Sequence, residues 1–364
     1  MDAILSRPLT RPRSLTDLLA FDRFIAVGAN SGGDQVVRWL REHGKTVLAF
    51  TDLAPALQGA MRGGLPVLAP AECLNDPATA FVIGTVRQME AAELLTGPLG
   101  VDPLRVFPFV NPMFAEHYAP GAQSAVAPDH GRIRACLSDA DSRAYFDRVT
   151  AFYRTLDARH LVPQPRRIGQ YGYDAPGANP KPGAVIVDCG AFTGDTVPDF
   201  LAATGGQCRV HALEAFAPNF DKLTATIAAQ GWQDVVNPLP LAAARTKGVI
   251  AMGGDESIAD GCAGIGLGAH EVQADTLDNL FLDQPVDYLK MDIEGAELDA
   301  LEGGRRMLEI HRPVVAIAAY HKPGHIVEIA DFLLSALGPC HLYAAHDPAW
   351  VFHIHYVCVP RERG

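Results

Sequence analysis

An apolar run ending in an acid, a glycine turn and a helix-forming stretch constrain this chain most. They occupy Val185 to Thr196, VIVDCGAFTGDT. The run Ala184 to Val187 predicts a short buried strand. Asp188, Gly190 and Gly194 follow at steps of two and four, and a helical stretch begins near Asp195. A strand, a glycine turn and a helix N-terminus together make a backbone site whose N–H groups can face a bound nucleotide. Gly190 lets the main chain approach a ligand without a Cβ. The N–H groups near Gly194 and Asp195 are the expected donors, and Asp188 is placed to steer a ligand's amino group. Glu214 ends the next apolar run, Cys208 to Leu213, about 20 residues past the turn. An acid there can hold both ribose hydroxyls of a nucleoside.

A second segment, Asp287 to Leu301, reads DYLKMDIEGAELDAL. Leu289 and Met291 alternate with Lys290 and Asp292, so the polar pair shares one face of a strand. A central parallel strand is normally apolar on both faces. Charge there is costly unless it sits at the C-terminal mouth, where ligands bind. Lys290, Asp292 and Glu294 are therefore expected to line an acceptor pocket; the plainer reading is a Lys–Asp pair that anchors the following loop. Gly295 permits a sharp exit into a helix beginning near Ala296, where Glu297 is a first-turn acid favoured by the helix dipole. His321 follows the next strand directly, in AIAAYHKPGH. A histidine beside carboxylates suits removal of a hydroxyl proton, or it is simply a hydrogen-bonded rim residue. Tyr320 and Lys322 are secondary candidates.

Together the two segments resemble the FkbM family of methyltransferases, which use S-adenosylmethionine. The resemblance covers Val185 to about Val359, and its most specific part is Asp287 to Leu301. It implies a class I methyltransferase sheet with S-adenosylmethionine held by Asp188, Gly190, Ala191, Phe192, Gly194, Asp195, Thr196 and Glu214. It also implies catalysis by Lys290, Asp292, Glu294 and His321, since the family places a histidine after the fifth strand. One departure is Phe192, where the family commonly has Asn and other methyltransferases have Gly. The implied reaction moves the sulfonium methyl to an oxygen, the hydroxyl of a sugar, a glycan or another secondary metabolite.

The fold class expected is α/β: a Rossmann-like methyltransferase sheet with a C-terminal β-hairpin, preceded by a smaller Rossmann-like domain. The expected divisions are residues 1–118, a linker 119–182 with a bridging helix, and 183–364. In the first division, strands are expected at Phe24 to Gly28, Thr46 to Phe50 and Ala80 to Gly84, with helices at Asp34 to His43 and Gln88 to Leu95. In the linker, apolar residues at helical spacing mark Asp139 to His160. In the last, strands alternate with helices at Asp195 to Ala203, Ala217 to Gln230, Ala296 to Leu308 and Ile326 to Leu337. Thr246 to Gly266 is glycine-rich enough for a hairpin, and His341 to Val359 closes as another around HDPA.

The N-terminal turn Gly28-Ala29-Asn30-Ser31-Gly32-Gly33, with Asp52 closing the second strand, looks like a nucleotide-binding turn. Asn30 replaces the middle glycine that lets a pyrophosphate approach, which argues against a dinucleotide. The layout, including GGLPVL at Gly63 to Leu68, loosely resembles the small domain that precedes some sugar acyltransferases. A sugar nucleotide, a docking role or a homodimer contact are the alternatives for it. The rivals to methyl transfer are a dinucleotide-dependent oxidoreductase acting through this domain and a non-catalytic module that senses the cofactor.

Net charge is −12, with no basic stripe to neutralise phosphates, so nucleic acid is not an expected partner. Seven cysteines form no CxxC pair, and no apolar run approaches the ~18 residues that span a bilayer. A cytoplasmic protein with no membrane contact is expected. Seven of thirteen histidines fall after residue 310, and His346, Asp347, His353 and His355 crowd one hairpin. Lacking a recognised ligand spacing, they are not assigned a metal.

Overall fold

The computed structural model describes residues 15–85, 88–108, 129–155, 167–253, 264–265, 270–346 and 354–364. The chain divides into two compact units. One takes Met1–Ala127, Asp147–Pro163 and Pro348–Phe352; the other takes Pro128–Phe146, Gln164–Asp347 and His353–Gly364. The division falls inside the helix Ala140–Thr155, which lies within the stretch where helical spacing was read. Residues 156–160 of that reading lie outside the described residues.

The first unit is built on a six-stranded sheet in which Arg23–Val27 lies beside Thr79–Ile83. These two strands pair in parallel, and Thr46–Thr51 lies on the other side of Arg23–Val27. The GGLPVL segment makes a tight antiparallel pair, Met61–Arg62 with Leu65–Leu68, on the sheet edge. The helix Ser31–Glu42 starts at Asn30, whose side chain accepts from the N–H of Gly33. The glycines of this turn serve packing. A Cβ on Gly32 would overlap the carbonyl of Gly84, and one on Gly33 the carbonyl of Gly28.

The second unit is a seven-stranded sheet in the order Val236–Leu239, Cys208–Leu213, Ala184–Cys189, Tyr288–Met291, Val314–Ala318, Ile354–Pro360, Cys340–His346. The first five strands run parallel; Ile354–Pro360 returns antiparallel to Val314–Ala318 and pairs with Cys340–His346 as a hairpin. This is the class I methyltransferase arrangement expected from the alternation of elements. Val314–Ala318 is buried along its whole length, as a central parallel strand should be. Two of this unit's helices end on glycines in the left-handed region, Gly205 after Val197–Thr204 and Gly231 after Ala217–Gln230.

Two elements differ from the sequence reading. The helix expected over Ala296 to Leu308 is two, Glu297–Gly303 and Arg305–His311. Gly303 and Gly304 mark the break, where Cβ atoms would press into the Ala244 backbone and the Leu277 side chain. The glycine-rich Thr246 to Gly266 region does form an antiparallel pair, Gly248–Gly253 with Gly264–Ile265. A further strand, His270–Asp275, extends it and had no clear apolar alternation to announce it. Among the described residues no helix is long and apolar enough to cross a membrane.

Candidate active site

The carboxyl ends of the parallel strands share one rim. Met291 is paired with both Cys189 and Ile317, and Leu213 with Cys189. The residues just beyond them, Gly190, Glu214, Asp292 and the Tyr320–His321 pair, therefore emerge side by side. In such sheets ligands bind at this edge.

Strand pairing puts Lys290 opposite Asp188. Both side chains are almost wholly buried, and Lys290 Nζ lies 3.0 Å from Asp188 Oδ1. The ammonium also donates to the carbonyl of Gly190 at 2.7 Å, and Thr196 Oγ1 donates to Asp188 Oδ2 at 2.6 Å. Asp188 is fully buried, so its carboxylate faces Lys290 and Thr196 rather than open space. Burial alone would lower the Lys290 ammonium; Asp188 and Asp292 outweigh it and hold the charged form. This buried trio ties strand Tyr288–Met291 to the glycine turn. Lys290 Nζ also lies 5.1 Å from the centre of the Tyr171 ring, a cation–π contact.

Inside the turn, Gly194 donates to the carbonyl of Ala191 at 2.7 Å, so that N–H stabilises the turn itself. Asp195 is exposed and Ala191 buried. Phe192 has φ of 47°, a left-handed conformation that costs a bulky residue about 1–3 kcal/mol and that Asn adopts more readily. Its N–H donates to Glu214 Oε2 at 2.9 Å, and Phe216 N–H donates to Oε1 at 2.9 Å. The two donors fix the Glu214 carboxylate at the strand end. Burial raises this carboxyl to about 7, against the lowering effect of the same two N–H groups.

A second cluster gathers Asp292, Glu294 and His321. His321 Nε2 is 3.3 Å from Asp292 Oδ1 and 3.6 Å from Glu294 Oε2. Glu294 has φ of 55° and precedes Gly295, so the loop bends sharply and brings both acids toward one point. Tyr320 Oη donates to Asp292 at 3.2 Å, and Tyr171 Oη donates to the same carboxylate. Behind them lies Glu297, fully buried, with Oε1 2.8 Å from His321 Nδ1 and Oε2 3.3 Å from His325 Nδ1. The N–H of Ile293 donates to Glu297 Oε1 at 3.0 Å. Burial would raise this carboxyl, but His321 and His325 outweigh it and hold it low. Burial would also lower His321; Glu297 and Glu294 outweigh that and raise the imidazole to about 10. Burial raises the Glu294 carboxyl to about 7, with His321 pulling the other way.

The structure thus separates the residues read from sequence into two adjoining groups. Asp188, Lys290 and Thr196 brace the glycine turn, and Glu214 faces it. Asp292, Glu294 and His321 form the second group. Tyr171 and Glu297 hold these groups in place. Tyr171 lies 121 positions from Asp292, in a segment with no motif. Glu297 was visible only as a first-turn acid. Of the hairpin histidines, His355 is buried with its ring 5.2 Å from that of Tyr171, and His353 lies outside the described residues.

In the first unit, the Asp52 carboxylate accepts from the N–H groups of Ala29 at 2.8 Å and Ala54 at 2.9 Å. With Asn30 capping the helix, the Asp52 and Asn30 side chains are both engaged with backbone N–H groups. A thermal-shift titration of the full chain with NAD or NADP should therefore show no saturable shift. A shift that disappears in Asp52→Ala would overturn this expectation.

Residues 188–340 match the family model described as Methyltransferase FkbM domain. Among solved structures, an FkbM methyltransferase from Methylobacillus flagellatus KT superposes with a TM-score of 0.67 at 18% identity, covering 98% of this chain and 96% of that one. Partial matches include fibrillarin from Aeropyrum pernix with bound S-adenosyl-L-methionine, at 14% identity and TM-score 0.34 over 51% of this chain and 69% of that one. Another is the O-methyltransferase TomG from Streptomyces achromogenes, at 13% identity and TM-score 0.30 over 48% of this chain and 72% of that one. No curated protein matches the chain in sequence. The sheet order, the glycine turn and the Asp292 loop agree with this match: residues 188–340 of this chain are similar to the methyltransferase FkbM domain.

Proposed function

We propose that the chain is an S-adenosylmethionine-dependent O-methyltransferase whose acceptor is a hydroxyl of a sugar, a glycan or another secondary metabolite. One observation carries this reading. An acceptor-only carboxylate, Glu214, and a carboxylate–imidazole cluster, Asp292–Glu294–His321, stand at the mouth of the same parallel sheet.

The donor set fits the nucleoside of S-adenosylmethionine. Each oxygen of Glu214 accepts one backbone N–H and keeps a further lone pair for a ribose hydroxyl. The turn Gly190 to Thr196, braced from behind by Lys290 and Asp188, forms the wall beside it. When bound, the cofactor supplies a methyl group on a sulfonium, and the acceptor oxygen must approach it in line. Asp292 and Glu294 accept hydrogen bonds from acceptor hydroxyls and offer a base for the departing proton. Tyr171 and Tyr320 keep Asp292 oriented by donating to it.

Calorimetry on the full chain should give one saturable S-adenosylmethionine site, and its absence would sink the proposal. Glu214→Ala should weaken that binding by about 1.5–3 kcal/mol, the loss of charge-assisted hydrogen bonds. The sign of the pH dependence follows from the raised carboxyl. Ribose hydroxyls donate to the ionised form, and below about pH 7 Glu214 takes up a proton. Affinity should therefore fall with pH on that side, by up to about tenfold per unit. Above it the curve should be flat, and Glu214→Gln should remove the slope. A wild-type profile that is level from pH 8 down to pH 5.5 would contradict this role.

A further inference from the structure

The geometry points to a divalent-cation site at Asp292, Glu294 and His321, an inference that rests on the reading of this rim as the acceptor side. One donor atom from each residue lies within 4.8 Å of the other two, a spacing one ion can bridge. Two carboxylate oxygens and one imidazole nitrogen suit a metal of the manganese type, with magnesium favoured by the oxygens and zinc by the nitrogen.

The histidine supplies the second, independent observation. The His321 side chain is only 8% exposed, and its Nε2 is buried without a hydrogen-bond partner. That nitrogen lies within ion-pair reach of Asp292 Oδ1 and Glu294 Oε2 and is hydrogen-bonded to neither. A single positive ion at that point satisfies all three groups. Nδ1, on the far side of the ring, faces Glu297 Oε1 at 2.8 Å. Metal-binding histidines characteristically turn their second nitrogen to a carboxylate in this way, which fixes the tautomer and the ring plane. Glu297 is itself fixed by the N–H of Ile293 and by His325. Tyr171 and Tyr320 do the same for Asp292.

The three ligands are unequally covered. Side-chain exposure rises from 8% at His321 to 21% at Asp292 and 32% at Glu294. An ion held here would keep coordination positions open toward solvent. Two neighbouring hydroxyls of an acceptor would fill them as a chelate, which gives the site a preference for vicinal diols and hydroxy-carbonyl compounds over isolated alcohols.

The test is titration of the metal-stripped full-length protein with Mn²⁺, read by the loss of the free-ion electron paramagnetic resonance signal. One saturable site per chain is expected, displaced by Zn²⁺ and weakened at least ~100-fold in Glu294→Gln and in His321→Ala. Glu297→Gln, which leaves all three ligands in place, should weaken binding by about 10–100-fold. Circular dichroism and S-adenosylmethionine calorimetry on each variant verify that the fold and the cofactor site persist. Absence of a saturable Mn²⁺ or Zn²⁺ site while S-adenosylmethionine still binds overturns the metal site and leaves the methyltransferase reading standing. Stoichiometric Mn²⁺ binding that both ligand variants retain also overturns it. Mn²⁺ binding that depends on these residues, in a protein that binds no S-adenosylmethionine, upholds the metal site and rejects the methyltransferase reading.

Discussion

Replacing Lys290 with Met should destabilise the second unit by about 3–5 kcal/mol, the cost of leaving a buried charge without its partner. Asp188 is fully buried, and the Lys290 ammonium is its only ion-pair partner among the described residues. Thr196 alone would remain to hold the carboxylate. The carbonyl of Gly190 would lose its donor at the same time, which loosens the turn expected to meet the cofactor. The double variant Lys290→Met, Asp188→Asn removes both charges and should recover much of the loss. Chemical denaturation of the two variants is the measurement. If Lys290→Met unfolds at the wild-type denaturant concentration, the pair is not a brace.

Asp292→Asn and His321→Ala should each slow methyl transfer by at least ~100-fold while leaving S-adenosylmethionine affinity within about threefold. Both residues sit in the cluster proposed to meet the acceptor, and neither belongs to the group around Glu214. Asp292 receives hydroxyl donors from Tyr171 and Tyr320, so its orientation is set before any acceptor arrives. The assay follows labelled methyl from S-adenosylmethionine into whichever alcohol the wild type accepts from a panel of sugars and secondary metabolites. Near-normal turnover in both variants would remove these residues from the chemistry. A parallel loss of cofactor affinity would place them in the wrong half of the site.

The strands and helices that position this site were legible because their signals are local. Ala184–Cys189 and Val314–Ala318 are short apolar runs bounded by turns, and Ala217–Gln230 is closed by a glycine that ends it where expected. Gly303 and Gly304 were read through as helix because two glycines weaken a helix without saying what approaches them. The role of Asp188 was assigned from its position at a strand end. Lys290, with which it forms a buried ion pair, is adjacent only through strand pairing between residues 102 positions apart. The adjacency of the first and fourth strands in this sheet order was the available signal. Tyr171 carried none. Its hydroxyl reaches Asp292 from a two-strand ribbon region that packs by tertiary contact alone.

Gly190 has φ of 78°, and a Cβ there would overlap the carbonyl oxygen of Asp292. The N–H of Asp292 in turn donates to the carbonyl of Cys189 at 3.0 Å. Main chain thus lies directly on main chain between the glycine turn and the Asp292 loop, the places proposed for the methyl donor and for the acceptor. The gap between those places is a fixed dimension, like the jaw width of a gauge that has no adjusting screw. Side chains can change what is gripped, but not how far apart the grips stand. Acceptors of different bulk must be accommodated at the outer walls. Engineering for new alcohols should therefore leave Gly190, Asp292 and Glu294 untouched and vary exposed positions such as Lys322.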